Sequence, residues 1–170
     1  ARKWILIGLY IGQRVSDLLA LKPSQLRFIE NGVYIDINQQ KTDKYVTVGV
    51  VDKEVIQILK QRFPYAISAQ LFNRQIKQIC QIAEINDMVS GYKLCPKTRR
   101  KRLGTHPKYS LISSHDLRRS FATNYFGKIE TPILMQITGH SKESTFLSYI
   151  GSQVNKDTYA DAFMKVAATL

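Results

Sequence analysis

A histidine and two arginines stand at the start of a segment with the hydrophobic pattern of a half-buried helix, SSHDLRRSFATNYFG, residues 113–127. The first turn of a helix is normally stabilised by acidic or hydroxyl side chains, so basic residues there need another explanation. His115 and Arg118 are one helical turn apart and share a face, whereas Arg119 points elsewhere. Because guanidinium and imidazole groups on one face are suited to binding an anion, the segment predicts an anion site.

Two further basic candidates stand at the boundaries of predicted elements. Arg14 follows the first apolar segment, and Lys41 lies in the polar stretch QQKTDK between two strand-like segments. Both side chains can bind an anion, but each also has an ordinary structural interpretation. Arg14 can form a surface ion pair with Asp17, one helical turn further on. Lys41 can be a solvated turn residue, with Lys44 as a rival for its role.

A third group of candidates lies towards the end of the chain, where His140 follows a glycine and Tyr149 comes nine residues later. A tyrosine hydroxyl, with an ordinary pKa of about 10, is a nucleophile only when its proton is accepted locally. The structural alternative for this tyrosine is packing with Phe146 and Ile150 in one apolar stripe. His140 can equally be a turn residue that bonds to the preceding helix, and His115 can bond to backbone at a helix start.

The hydrophobic pattern predicts a mostly helical α+β domain with one small three-stranded antiparallel sheet. Strands are expected at RFI, VYIDI and YVTVGV, with a type I′ turn at Asn31-Gly32 and a polar turn at QQKTDK. Helical periodicity and capping residues predict the helices. These cover residues 1–11 with a break at Gly12, the turn DLLAL, 53–63 capped by Asp52, 69–85 capped by Ser68, the segment after 113, 132–138 ended by Gly139, and 142–150 capped by Ser141.

Residues 86 to about 112 show no clear periodicity and are predicted to form a loop. The part from 93 to 108 is strongly basic and contains no acidic residue. Contacts with the phosphates of a polyanion explain this run better than solvation alone. Its basic side chains are Lys93, Lys97, Arg99, Arg100, Lys101, Arg102 and Lys108.

The composition favours a polyanion as the partner of a single domain. The 170 residues include 25 lysines and arginines against 13 acidic residues, a net charge of +12. Such a field favours nucleic acid, and the length fits one domain. Cys80 and Cys95 are spaced for neither a metal knuckle nor a redox pair, and no apolar run has the length of a membrane span. A cytoplasmic protein without a metal site is therefore expected.

Taken in order, these elements resemble the tyrosine recombinase family, the integrases of phages and mobile elements. The family motif R-x-S-[ED]-L-x-x-L corresponds to RVSDLLAL, its β-turn lysine to QQKTDK, and its H-x-x-R to HDLR. A Gly-His pair and a tyrosine nine residues later complete the series as GHS and Tyr149. Each motif alone is weak, but five elements in order with two fixed spacings are specific.

The resemblance implies that residues 1–170 are the catalytic domain of an enzyme for DNA integration and recombination. Such an enzyme cuts and rejoins DNA strands through a covalent 3′-phosphotyrosine intermediate, without a metal or a cofactor. The family pattern gives Asp17 a supporting role. The residues that it assigns to catalysis are Arg14, Lys41, His115, Arg118, His140 and the nucleophile Tyr149.

The roles implied for these residues follow the needs of phosphodiester cleavage. Arg14, Arg118 and His140 would hold the phosphate and stabilise the charge that builds on it during attack. Lys41 would protonate the leaving 5′ oxygen, and His115 would assist proton transfer. The family's N-terminal DNA-binding domain is expected to be absent from this sequence.

The resemblance also implies double-stranded DNA and further protomers in a synaptic complex as partners, with a bacterial, nucleoid-associated location. Arg119 and the basic run would contact the DNA backbone. The helix predicted from Asn155 has an apolar face from Tyr159 to Leu170, which suits docking on a neighbouring protomer or packing in cis. Two other interpretations stay open. They are a type IB topoisomerase, with the same chemistry, and a non-enzymatic helix-turn-helix regulator built on PILMQITGHSKESTFLSYI.

Overall fold

The fold is a mostly helical α+β arrangement, as predicted, in which seven helices and five strands cover most of the described residues. The structure, a computed structural model, describes residues 1–96, 98–151, 160, 161, 163, 164, 167 and 168. Its helices are α1 Arg2–Ile11, α2 Val15–Leu19, α3 Lys53–Gln61, α4 Ala69–Ile82, α5 Ser114–Tyr125, α6 Thr131–Thr138 and α7 Glu143–Ile150. Its strands are β1 Leu26–Ile29, β2 Gly32–Gln39, β3 Lys44–Val50, β4 Met88–Leu94 and β5 Lys101–Pro107.

Helix α1 lies at the centre of the larger hydrophobic core. Trp4, Ile7 and Ile11 recur at helical spacing and are buried against the sheet, α3 and α4. Gly12 ends α1 with φ of 63°, in the left-handed region that glycine adopts without strain. A Cβ at this position would lie 2.2 Å from a ring carbon of Phe121 in α5. The glycine therefore lets the end of α1 approach the helix that carries His115 and Arg118.

The predicted three-stranded antiparallel sheet is present, with the order β1-β2-β3. Its inner face alternates regularly along β2 and β3, where every second side chain is buried. The predicted type I′ turn is wrong, because neither Asn31 nor Gly32 has a positive φ. Gly32 instead pairs with Ile29 inside the ladder, and a Cβ there would lie 2.7 Å from the carbonyl oxygen of Val50. The glycine thus allows strands β2 and β3 to approach each other closely.

The predicted loop from 86 to about 112 is wrong, because strands β4 and β5 pair there as a second antiparallel sheet. The register joins Gly91 to Gly104 and Lys93 to Arg102. Every second side chain of β4 is exposed, and neither face is fully buried. Hydrophobic alternation is therefore weak in this hairpin, and basic residues at its tip hide the strand pattern.

The helix limits agree with most of the predicted caps. Asp52 and Ser68 accept hydrogen bonds from the backbone of Val55 and Leu71, as N-cap residues do. Ser141 is not the N-cap of α7, because Lys142 occupies that position and the helix begins at Glu143. Helices α3 and α4 end at Gln61 and Ile82, a few residues before their predicted limits.

A second, smaller core joins the last three described helices. Phe121, Leu134 and Phe146 are buried at the junction of α5, α6 and α7. This packing fixes the turn between α6 and α7, where Gly139 adopts φ of 64° and His140 follows. No helix in the described part of the chain is long and apolar enough to cross a membrane. Tyr159, Ala162, Val166 and Leu170 of the predicted terminal apolar face lie outside the described residues.

Candidate active site

A cleft of about 480 Å³ opens where four separate segments of the chain meet. It is bounded by the α1–α2 junction, the β2–β3 turn, the start of α5, and the turn into α7 together with that helix. The six residues that the sequence nominates for catalysis all line it: Arg14, Lys41, His115, Arg118, His140 and Tyr149. Residues far apart in sequence, with complementary chemistry, thus face one space.

Arg118 is the most enclosed charged side chain of the cleft, with only 3% of its surface exposed. Its guanidinium donates to the carbonyl oxygens of Gly12, at 3.2 Å, and Thr138. Burial and the neighbouring charge of Arg14 lower its pKa to about 10. The hydroxyl of Tyr149 and the charge of Asp17 oppose this fall in pKa, but no carboxylate of the described residues forms an ion pair with Arg118.

Arg14 lines the same cleft from the junction of α1 and α2. Its guanidinium lies 3.5 Å from Oε1 of Gln39 and 3.5 Å from the carbonyl oxygen of Gly139, at the long limit of a hydrogen bond. The ion pair with Asp17 that the sequence left open is not formed. Arg14 therefore keeps hydrogen-bonding capacity for a ligand, and the two guanidinium groups create a positive field in the cleft.

Asp17 supports the turn that carries the candidate lysine. Only 4% of this residue is exposed, and its Oδ1 accepts a hydrogen bond of 3.0 Å from the backbone amide of Gln40. Lys41 is exposed and lines the cleft, whereas Lys44 lines a neighbouring cleft of about 470 Å³. The placement of the two lysines therefore favours Lys41 as the residue able to reach a ligand beside Arg14.

Tyr149 lies between the two histidines of the cleft. Its ring centroid is 5.0 Å from that of His115 and 5.0 Å from that of His140. Its hydroxyl points to the carbonyl oxygen of His115, at 3.4 Å. Burial raises the pKa of Tyr149, while the guanidinium groups of Arg118 and Arg119 oppose that rise. The hydroxyl is thus protonated near pH 7 and needs an acceptor for its proton to become a nucleophile.

Both histidines of the cleft are held in the neutral form near pH 7. Burial, followed by the charges of Arg118 and Arg14, lowers the pKa of His140 to about 4. Burial, followed by the charge of Arg119, also lowers the pKa of His115. A neutral imidazole has one donor nitrogen and one acceptor nitrogen, so either ring can take up a proton during a reaction.

Arg119 occupies a different place from the one that its sequence position suggested. Instead of pointing away from the cleft, its guanidinium lies over the ring of Tyr149, with the central carbon 5.5 Å from the ring centroid. This distance falls within the range of a cation–π contact. The side chain remains exposed, so it can contact a polyanion as well as the tyrosine ring.

Those basic side chains from 93 to 108 that the structure describes lie on the β4–β5 hairpin or directly after it, and they do not line the cleft. Lys93 is in β4, Lys101 and Arg102 are in β5, Arg99 and Arg100 are at the tip, and Lys108 directly follows β5. Lys97 lies outside the described residues. Lys93 and Arg102 are paired across the ladder, and like charges directly opposite each other destabilise a sheet. An anionic partner along this edge would relieve that repulsion.

Two buried glutamines that sequence reasoning missed connect the segments of the cleft. Gln39, fully buried, donates to Oε1 of Gln13 and to the carbonyl oxygen of Ile137, each at 2.9 Å. Its own Oε1 accepts from Thr42, at 2.8 Å, and lies near Arg14. A signal was present, because this polar residue continues the inward-facing series of Val33, Ile35 and Ile37 in β2.

Several solved structures share the architecture of this domain. Similar solved structures include XerH site-specific recombinase bound to difH substrate, with a TM-score of 0.64 and 20% identity over 95% of this chain and 45% of that one. Another is the Tn1549 transposon integrase in complex with transposon right end DNA, with a TM-score of 0.66 and 17% identity over 97% and 58%. A third is a lambda integrase dimer bound to a COC′ core site, with a TM-score of 0.64 and 17% identity over 91% and 53%.

At these identities the structural similarity establishes the fold. The chain spans about half the length of the XerH chain that it matches, and no curated protein is significantly similar to it in sequence. Residues 1–156 match the sequence model described as the phage integrase family. That match covers most of the chain, including the six residues nominated for catalysis, and the chain therefore belongs to the phage integrase family.

Proposed function

We propose that this domain cleaves and rejoins DNA strands as the catalytic domain of a site-specific recombinase, through a covalent 3′-phosphotyrosine intermediate. The observation that carries the proposal is the convergence of Arg14, Arg118, His140 and Tyr149 on one cleft. Two guanidinium groups without an ion-pair partner among the described residues, together with a polar ring beside a tyrosine hydroxyl, are suited to a phosphodiester under attack. Family membership supports the same chemistry.

The phosphate is bound first, between the two guanidinium groups. Guanidinium groups are planar and permanently charged, and they meet phosphate oxygens in bidentate fashion. Arg118 is anchored by the carbonyls of Gly12 and Thr138, so it needs little reorganisation when charge builds on phosphorus. A single pre-positioned donor of this kind contributes about 3 kcal/mol to a transition state. His140 supplies a third contact to the phosphate oxygens.

Tyr149 then attacks phosphorus, and the bond to the 5′ oxygen breaks. His115, whose ring lies 5.0 Å from that of the tyrosine, assists removal of the hydroxyl proton. Lys41 protonates the departing 5′ oxygen from the β2–β3 turn that Asp17 supports. The phosphotyrosine bond conserves the energy of the broken linkage, so a second 5′ hydroxyl can attack it and rejoin a strand. The scheme requires no metal ion.

Double-stranded DNA is the proposed substrate, and the β4–β5 hairpin is a proposed contact surface for its backbone. The net charge of +12 and the basic residues of the hairpin support this assignment. The similar recombinases and integrases were solved with DNA, one of them as a dimer. We therefore propose that the domain acts in a bacterial cytoplasm, with further protomers, on the DNA of a mobile element or phage.

Two alternatives use the same surface differently. A type IB topoisomerase has the same chemistry and would relax supercoiled DNA without pairing two sites. A helix-turn-helix regulator would use α6 and α7 for DNA binding alone. The regulator leaves unexplained why Arg14, Lys41 and His115 share the cleft with α7, so the enzymatic proposal accounts for more of the structure.

The proposal predicts a covalent protein–DNA adduct on a nicked trap substrate, in which the cleaved strand diffuses away and religation is blocked. Tyr149→Phe removes only the hydroxyl, so we expect DNA affinity near that of the parent and no adduct after denaturing electrophoresis. Tyr125→Phe, a matched change in α5, is expected to keep the adduct. An adduct that persists in Tyr149→Phe would assign the nucleophile to another residue.

A further inference from the structure

The side-chain hydroxyl of Thr138 is a buried polar group next to the cleft that the proposed mechanism does not use. It is the last residue of α6 and is completely buried. Its Oγ1 lies 2.6 Å from the carbonyl oxygen of Leu134 and 2.8 Å from Nδ1 of His140. The hydroxyl therefore bridges the end of helix α6 and the ring of a candidate catalytic histidine.

The two contacts of this hydroxyl determine which ring nitrogen of His140 carries the proton. A hydroxyl has one proton to donate, and a carbonyl oxygen can only accept. At 2.6 Å the contact with Leu134 requires a proton between the oxygens, so Thr138 donates to Leu134. Its lone pair then accepts from His140, which places the imidazole proton on Nδ1.

Packing fixes the same ring from a second side. Phe146 is fully buried, and its ring meets that of His140 at 66° with centroids 5.4 Å apart. With Nδ1 held by Thr138 and the ring backed by Phe146, Nε2 is the nitrogen left for the cleft that His140 lines. Burial, followed by the positive charges of Arg118 and Arg14, favours the neutral ring, so its tautomer is a defined property near pH 7.

We infer that Thr138 is a positioning residue, which holds His140 in the Nδ1–H tautomer and presents Nε2 to the scissile phosphate. The inference rests on the proposed function for its meaning, since it assumes a phosphate in the cleft. In the free protein Nε2 carries a lone pair and no proton. Nε2 must therefore take up a proton before it can donate a hydrogen bond to an anionic phosphate oxygen. Thr138 can accept from Nδ1 before and after Nε2 takes up that proton from solvent, so the ring does not need to turn.

The tautomer is measured directly by NMR of the free protein labelled with nitrogen-15 in its histidines. Nδ1 and Nε2 resonate far apart when one is protonated and the other is not, and the pattern of couplings to the ring protons assigns them. We expect the Nδ1–H pattern for His140 in the parent and in Thr138→Ser. Thr138→Val keeps the shape of the side chain but removes the acceptor, so the Nδ1–H preference is expected to be lost.

The consequence for cleavage is measured with a nicked trap substrate at saturating DNA. Thr138→Val is expected to slow adduct formation about tenfold, the rate equivalent of one hydrogen bond, with the DNA dissociation constant unchanged. Thr138→Ser is expected to restore the rate. Thr145→Val makes the same change at an exposed position of α7 and is expected to leave the rate unaltered.

The NMR result does not depend on DNA cleavage, so the two proposals can fail separately. An Nε2–H pattern in the parent, or the same Nδ1–H pattern in Thr138→Val, would overturn the role of Thr138. A slow rate in Thr138→Ser equal to that of Thr138→Val would do the same. A parent protein that shows the Nδ1–H pattern but forms no adduct with any DNA would instead count against the proposed function.

Discussion

The charge of Arg118 is the residue-scale feature that most requires a ligand. This buried guanidinium is held by backbone carbonyls of Gly12 and Thr138. Burial, followed by the positive charge of Arg14 nearby, lowers the pKa of Arg118 to about 10. Burying the charge of Arg118 beside a second positive charge is costly unless an anion offsets it. We therefore expect the site to function with a phosphate bound, because the phosphate offsets this cost.

A residue-scale prediction concerns Arg119, whose guanidinium lies over the ring of Tyr149. This charge lowers the pKa of Tyr149 against the effect of burial. Arg119→Leu should therefore raise that pKa and move the rising limb of the cleavage pH profile to higher pH. A cation–π contact of about 0.5–1 kcal/mol corresponds to a rate loss of about threefold near neutral pH.

The measurement is the single-turnover rate of adduct formation as a function of pH. Saturating DNA is used so that a weaker contact between residue 119 and the DNA backbone does not affect the rate. Arg119→Lys keeps the charge and is expected to keep the profile. A profile that is unchanged in Arg119→Leu would show that the guanidinium does not act on Tyr149.

A second residue-scale prediction concerns stability in acid. The pKa of His140 falls from 6.5 to about 4 on folding, so between these values the unfolded chain binds more protons than the native one. Stability then rises with pH. The contribution is fully present above the unfolded pKa and is lost as the pH falls towards the folded pKa. His140→Gln should flatten the change in urea midpoint between about pH 7 and about pH 5.

His106→Gln is the matched control, because His106 lies on β5 and not in the cleft. We expect this variant to keep more of the parental pH dependence than His140→Gln does. A His140→Gln protein with the full parental slope would mean that the folded environment does not disfavour the charged ring.

At the scale of elements, the buried glutamines tie together the parts that carry the cleft. Gln39 ends β2, bonds to Gln13 beyond α1, and bonds to the carbonyl of Ile137 in α6. Gly139 fits against it because a Cβ there would lie 2.2 Å from Oε1 of Gln39. One side chain therefore sets the distance between Arg14, the β2–β3 turn and the turn that holds His140.

Gln39→Leu is predicted to destabilise the protein and to slow cleavage together. The substitution leaves Oε1 of Gln13 and the hydroxyl of Thr42 without their partner, and an unsatisfied buried group costs about 1–3 kcal/mol. We expect about 2 kcal/mol of lost stability in urea denaturation, with slower adduct formation at saturating DNA. Gln40→Leu, at the exposed neighbouring position, is the control. Equal effects of the two variants would contradict the linking role of Gln39.

The elements also show which features a sequence can predict here. Helix α1, the strands β2 and β3, and the caps at Asp52 and Ser68 follow from local periodicity and side-chain chemistry, which the sequence contains directly. The β4–β5 hairpin does not, because neither of its faces is fully buried and its pattern carries little hydrophobic signal. Its strands become evident only when their backbone pairing is seen.

For side chains too, the sequence predicts some features of the cleft and not others. The residue types of Arg14, Arg118, His140 and Tyr149 could be chosen from motif and spacing, because phosphate chemistry restricts the types that can serve. The bridge from Thr138 to His140 and the placement of Arg119 over Tyr149 depend on rotamers and packing between helices. Such contacts are properties of the tertiary structure and have no local signal.

At the scale of the whole molecule, the candidate site exists only in the folded chain. The cleft joins segments from Gln13 to Tyr149, so its residues meet through the packing of α1 against α5 and of α6 against α7. The net charge of +12 adds a long-range attraction for a polyanion such as the proposed DNA substrate, and this attraction weakens as salt rises. Fold, charge and site chemistry thus point to the same class of substrate.

The most direct test of the account is to identify the residue that becomes attached to DNA. The protein is incubated with a nicked trap substrate, the adduct is digested with protease and nuclease, and the modified peptide is sequenced by mass spectrometry. The account predicts a nucleotide remnant on Tyr149, linked through its phenolic oxygen to a 3′ phosphate. A remnant on any other residue, or on the 5′ side of the break, would contradict it.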